Sequence, residues 1–328
     1  MEQIMEHSLE HAIWLCDQSR YREALEVLSQ SLCHDPENAS IHYAMGGAYI
    51  GLADYIKARQ MLEEAVRINP NDAEYYYLLA VAHTGLGELA EALALLTEAV
   101  RLNPEHGLSY LAMGSIAQGM GREAEALEHY QRAILFRPDV ASACGQMGGI
   151  YHKRGDSRAA VYWLRRAVEL DAKSVNAHLG LACALSELPD YEGAARACLE
   201  ALRLEPENAR VYKRLGTAYA GLGRKAEAKD AFIQATRLNP EDASAHAELG
   251  AAYFMLGRFD DALQALKRAD ALAPTSAVTN YVLGMTHLAS GDIEEAQSRQ
   301  GNLRELNVTL ADALWGMLVR LDGRMKRD

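Results

Sequence analysis

Near the N-terminus, His7-Ser8-Leu9-Glu10-His11 has the spacing of an inverted zinc-hydrolase motif. Two histidines four apart share one face of a helix, where neutral imidazoles could hold zinc. A zinc site also needs a third ligand and an enclosing domain, and no Cys/His cluster elsewhere has zinc spacing. These residues are therefore read as ordinary helix surface. Gly85-Leu86-Gly87-Glu88-Leu89-Ala90 is a weak phosphate-loop pattern, but no strand precedes it, so it is read as a turn. No Ser/His/Asp constellation can be placed along the chain. The Asn307-Val308-Thr309 sequon carries weight only with a secretory signal. Cys16, Cys33, Cys144, Cys183 and Cys198 are odd in number and form no CxxC pair, which fits free thiols in a reducing compartment. The expectation is no catalytic residue, no metal and no cofactor.

The elements that would carry any site come next. The 328 residues are 49% hydrophobic and 24% charged, a folded composition. Alanine supplies 55 residues and aromatics only 7%, which favours closely packed helices over sheets. A net charge of −12 argues against general nucleic-acid binding. Most of that excess lies early: residues 1–106 hold 17 acids and 6 bases, residues 107–328 hold 28 and 27. No run approaches the ~20 apolar residues of a membrane span. The N-terminus lacks the basic and apolar regions of a secretion signal, so a cytoplasmic location is expected.

Prolines set a period of 34 residues: Pro36, Pro70, Pro104 and Pro138, then Pro206, Pro240 and Pro274 after a skipped place at Ala172. Gly87, Gly121, Gly155, Gly223, Gly257 and Gly291 keep the same period, and Pro189 occupies the slot missing from their series. Units of 34 residues counted from Met5 number nine, ending at Leu310. Their eighth place is always Gly or Ala, and their twentieth is always Ala, from Ala24 to Ala296. Each unit reads as two helices with apolar residues recurring at three and four. Small residues mark a close helix crossing, with Gly250 set against Ala262. Glycine serves the turn and proline stops the second helix. At Pro189 the turn is expected to differ, because proline cannot take glycine's left-handed conformation. His42, His178 and His246 share one place with Tyr76, Tyr110 and Tyr212 and are read as packing residues.

This pattern resembles the tetratricopeptide repeat, most closely at Tyr212, Leu215, Gly216, Tyr219, Ala228, Phe232, Ala235 and Pro240. The resemblance implies an all-α, right-handed superhelical solenoid of antiparallel helix pairs. Residues 1–310 would form nine repeats, the first and ninth degenerate, and residues 311–328 a capping helix with a basic tail. The family's first helices line a concave groove through the second, fifth, sixth, ninth, twelfth and thirteenth places. Those places put Tyr43, Tyr77, Leu111, Gly149, Cys183, Arg210, Lys213, Arg214, Phe254 and Tyr281 forward as partner-binding residues. Arg210 and Arg214 match the basic pair of the family's two-carboxylate clamp, but Gly145, Gly149 and Gly180 replace its other members, so the clamp is incomplete. The implied function is a non-catalytic scaffold or adaptor. Its partner would be a protein or peptide with an apolar helical or extended segment and a local acidic group. The alternative is a targeting module of a larger enzyme or of a secretion or assembly machine. No nucleic acid and no membrane span enter this reading.

Overall fold

The computed structural model describes the backbone of residues 2–325 and the side chains of residues 8–319. Every regular element within them is an α-helix. The chain divides into two compact units, residues 1–147 and 148–328. The first holds α1 (Glu2–Asp17), α2 (Tyr21–His34), α3 (Ala39–Gly51), α4 (Tyr55–Ile68), α5 (Ala73–Leu86), α6 (Leu89–Leu102), α7 (Gly107–Gly119) and α8 (Glu123–Phe136). Helix α9 (Ala141–Lys153) runs across the boundary. The second holds α10 (Ser157–Leu170), α11 (Val175–Glu187), α12 (Tyr191–Leu204), α13 (Ala209–Gly221) and α14 (Lys225–Leu238). It continues through α15 (Ala243–Met255), α16 (Phe259–Leu272), α17 (Ala277–Ser290), α18 (Ile293–Leu306) and α19 (Val308–Met325).

Helix starts recur because a capping side chain precedes the first helix of most pairs. Asn38, Asp72, Ser174, Asn208, Asp242 and Ser276 each accept a backbone N–H there. Within each unit, successive helices associate as antiparallel pairs, such as α3 with α4 and α13 with α14. The first helix of a pair also touches the first helix of the next, as α3 does α5 and α13 does α15. Among the described residues, second helices show no comparable row of mutual contacts. First helices therefore form a tight inner layer and second helices an outer one. Within each unit this is the all-α repeat of helix pairs that the resemblance implies.

The expected close crossing of Gly250 on Ala262 is present, and a larger side chain shares it. A Cβ built on Gly250 would lie 3.2 Å from the Ala262 backbone oxygen and 2.5 Å from Leu266 Cγ. The eighth place is thus a notch that receives the twenty-fourth side chain of the same repeat. Gly216 takes the Phe232 ring at 2.5 Å and Gly114 the Tyr130 ring at 2.6 Å. The ninth repeat breaks the rule: its twenty-fourth residue is Gln300, and the Gly284 notch is filled instead by Leu314 of α19.

The Pro189 turn differs from the glycine turns, as expected, while keeping part of their framework. Six inter-helix turns have glycine at φ between 72° and 85°, while Ser19 (58°), Ala53 (57°) and Pro189 (24°) hold the same place. The Pro189 turn keeps its neighbours' framework: Asp190 N–H donates to Leu185 O at 3.0 Å, as Glu88 N–H does to His83 O at 2.9 Å. It lacks the inner bond that Gly223 N–H makes to Ala220 O, because proline has no donor, and Leu188 N–H reaches Leu185 O at 3.1 Å where Leu222 N–H reaches Ala218 O. Its φ lies far from the proline optimum near −65°, a strain of about 1–3 kcal/mol. Pro189→Gly should therefore raise stability by about 1 kcal/mol net of the looser unfolded chain. A lower denaturation midpoint would show that the turn is unstrained.

The fourth-place histidines are also more than filler. His42 Nε2 lies 2.9 Å from Pro36 O, His178 Nε2 3.0 Å from Ala172 O, and His246 Nε2 3.0 Å from Pro240 O. Asn280 Nδ2 donates to Pro274 O at 3.2 Å from the same place. Each ties the start of a repeat to the loop that precedes it, including the loop in which Ala172 replaces proline.

Candidate functional site

The inner layer of the second unit brings several of the expected residues together. Arg210 and Arg214 stand exposed on α13 and form no ion pair among the described residues. Lys213 is committed elsewhere: its side chain is 19% exposed, and Nζ donates to Asp242 Oδ2 at 2.7 Å. Asp242 also caps α15, accepting the Ala245 N–H at 3.1 Å. Burial works to raise the Asp242 carboxyl, but the Lys213 ammonium and the backbone donors outweigh it and hold it below the usual carboxylate range. A depressed folded pKa means that this pair stabilises the fold above about pH 4 and that its contribution is lost as pH falls through the depressed value. Asp242→Asn should therefore lose less stability on acidification below about pH 4 than the wild type does. Identical acid limbs in the two denaturation series would remove the pair from the stability balance.

Next to this pair, Thr217 Oγ1 on α13 donates to Glu248 Oε2 on α15 at 2.9 Å, and Ser244 Oγ donates to its other oxygen at 3.3 Å. Burial pushes the Glu248 carboxyl above the usual range, against the pull of these hydroxyls and of Lys213 and Arg214. Glu248 forms part of the wall of a cleft of about 430 Å³ between α15 and α17. Ala247, Ala251, Val278 and Val282 supply much of the remaining lining, and Val278 is 62% exposed. On α19, Trp315 and Val319 are 46% and 49% exposed. They stand 34 residues after Tyr281 and Met285, so carrying the repeat register past Leu310 would have found them. Cys183 on α11 is half-buried; burial pushes its thiol up, with Arg214 and Arg210 pulling the other way.

Other expected groove residues are partly occupied by packing. Tyr281 is half-buried against the α18–α19 core, and Phe254 lies against Phe259 with ring centroids 5.8 Å apart. Gly149 is half-buried, with open space where a side chain would stand. Tyr43, Tyr77 and Leu111 belong to the first unit and are half-buried there. The Tyr43 ring is 5.1 Å from that of Tyr75, and burial, with Glu74 and Asp72 nearby, pushes its phenol up to about 12. At the thirteenth place, Gly221 is a notch 2.5 Å from the Tyr191 ring. Its small size therefore serves packing between repeats.

A Ser–His–Glu line does occur in the first unit. His106 Nδ1 lies 2.7 Å from Ser109 Oγ, and Nε2 lies 3.0 Å from Glu74 Oε1. Nδ1 also accepts the Ser109 backbone N–H at 3.2 Å, which places the ring proton on Nε2, facing the carboxylate. Ser109 is fully buried and His106 caps α7, so this hydroxyl has no route to a substrate. The line is a helix cap. In the His7–His11 motif, the His7 side chain lies outside the described residues, while Glu10 and His11 are exposed. Among the described residues, no group of three or more His, Cys, Asp or Glu side chains could hold a metal. No described helix is long and apolar enough to cross a membrane.

Residues 107–313 match the family described as the Cilia and flagella-associated protein 70 C-terminal domain. Residues 15–82 and 73–106 match two tetratricopeptide-repeat families. No curated protein sequence matches the chain. Among solved structures, it is similar to a chain of the APC/C hetero-tetramer Cut9–Hcn1, with a TM-score of 0.58 and 18% identity. That match covers 85% of this chain and 55% of the other, so the chain spans little more than half of that relative's length. YrrB, described as a TPR protein with an unusual peptide-binding site, is similar at 22% identity and a TM-score of 0.47, covering 56% of this chain and 96% of that one. MamA (residues 41 to the end) from Desulfovibrio magneticus RS-1 is similar at 21% identity and a TM-score of 0.49, covering 52% and 96%.

Proposed function

Because the chain belongs to the tetratricopeptide-repeat family, we propose that it is a non-catalytic scaffold whose second unit captures a protein segment along its inner layer. Residues 1–310 act as nine repeats in this reading, and residues 311–328 close the last of them. The observation that carries it is the exposed, unpaired Arg210 and Arg214 beside an apolar cleft, joined to it through Thr217 and Glu248. The partner places a carboxylate over the two guanidinium groups, which favour planar anions. An aliphatic side chain of the same segment enters the cleft between Ala251 and Val282 and gains by leaving water. Trp315 extends the apolar path as an aromatic anchor, a residue type enriched at binding hot spots. Cys183 borders the basic end, while Tyr43, Tyr77 and Leu111 offer a separate apolar row in the first unit.

A peptide array varying the position of one carboxylate against one aliphatic residue tests this. Peptides with the two a few residues apart should bind best, and Ala251→Phe, which fills the cleft, should weaken them. Equal binding to the filled variant would overturn the reading.

A further inference from the structure

Helix α10 carries three guanidinium groups that meet no carboxylate. Arg158, Arg165 and Arg166 form no ion pair among the described residues. On other second helices some arginines are paired, as Arg101 with Glu98 at 2.7 Å, Arg132 with Glu128 at 2.9 Å, Arg203 with Glu200 at 3.1 Å and Arg299 with Asp270 at 2.8 Å. Arg22, Arg196, Arg237 and Arg304 stand singly without an ion pair among the described residues, whereas α10 gathers three such groups on one helix. Arg166 is half-buried, and its Nε has no acceptor. The core face of α10 is taken up by Ala160, Val161, Leu164 and Ala167. Its opposite stripe runs Arg158, Tyr162, Arg165, Glu169 at spacings of four, three and four, and all four residues are exposed. Tyr162 is 59% exposed, with its ring set edge-on to Trp163 at 5.0 Å.

We propose that this outer stripe is a second docking surface, separate from the inner-layer groove, for an acidic amphipathic helix of another protein. Seven residues of helix separate Arg158 from Arg165 by about 10 Å. Two carboxylates seven residues apart on a partner helix match that span. An apolar residue midway between them covers Tyr162. Tyrosine and arginine are enriched at binding hot spots, and a guanidinium donates two parallel hydrogen bonds to a carboxylate. Glu169 ends the stripe and repels a third partner carboxylate, which fixes the register. The chain's charge of −12 opposes the long-range approach of a nucleic acid, whereas a short acidic segment needs only the local field.

The probe is a fluorescein-labelled, end-capped alanine-rich peptide of about 18 residues, long enough to form helix. It carries glutamates seven apart with a leucine between, and is titrated by anisotropy against the full chain at low salt. Saturable binding is expected, weakened at least about tenfold by Arg158→Glu/Arg165→Glu and several-fold by Tyr162→Ala. Arg158→Gln/Arg165→Gln should weaken it in the same direction, and the thermal melting midpoints of all variants should match that of wild type. Arg210→Glu/Arg214→Glu should leave it within about twofold, which separates this surface from the groove. The proposal is overturned by absent binding, by binding indifferent to the α10 substitutions, or by loss only in the groove variant. Equally tight binding of a single-stranded oligonucleotide of the same charge would also overturn it, revealing a general polyanion surface.

Discussion

Phe232→Ala should lower stability by about 3–5 kcal/mol, the cost of emptying a fully packed aromatic site. The ring is 2% exposed, lies among Ala228, Leu249, Ala252 and Ala265, and fills the Gly216 notch. The sharper test is the partner residue. In the wild-type background, Gly216→Ala drives a methyl group to 2.5 Å from the ring and should cost about 1–3 kcal/mol. In the Phe232→Ala background the same methyl group enters the cavity, so its effect should vanish or change sign. Phe232→Leu combined with Gly216→Ala reproduces the Ala80–Leu96 pair of the third repeat and should recover much of the loss. Repeat arrays need not unfold in one step, so amide exchange in α13 and α14 is read alongside denaturant curves. Additive effects of Gly216→Ala and Phe232→Ala would show that notch and ring are not coupled.

Charge reversal at Arg210 and Arg214 should weaken binding of the groove partner by about 2–5 kcal/mol where the carboxylate is desolvated. That corresponds to roughly thirty- to several-thousand-fold in Kd. Stability should move by no more than about 0.5 kcal/mol, since both side chains are exposed and unpaired. Arg237, exposed on α14 and hydrogen-bonded to Gln234 at 2.9 Å, is the control, and its reversal should change affinity little. Titration at two salt concentrations separates contact from steering, because a rim charge mainly alters association rate and salt dependence. Equal affinities for wild type and the double variant would place recognition elsewhere.

Periodicity made the helix pairs and the turns legible, since each rests on a residue type recurring every 34 positions, and the inner layer followed from the family resemblance. Which side chains meet was less so. Gly250 and Ala262 do meet, but that Leu266 also fills the notch was not legible, because helix rotation decides contact and composition does not reveal it. His42 shares its place with tyrosines and looked like filler; its bond to the Pro36 carbonyl depends on a loop geometry visible only in three dimensions. Lys213 read as a groove cation because its carboxylate, Asp242, lies 29 residues away on the next first helix. The capping series Asn38, Asp72, Ser174 and Asn208 stood in plain register in the sequence. Trp315 and Val319 fell outside a count that stopped at Leu310.

The Gly284 notch bears on the order in which the chain assembles. Gly216 is closed by a residue 16 positions later, Phe232, whereas Gly284 waits for Leu314, 30 positions on. Nearly doubling the loop adds about 0.5 kcal/mol of closure entropy, a small equilibrium term. The kinetic effect is larger. As the chain emerges from a ribosome, Gly216 can be covered as soon as α14 forms, whereas α17 and α18 together still expose Gly284. That pair stays open at Gly284 until α19 has cleared the exit tunnel, whereas an earlier repeat closes its notch with its own second helix.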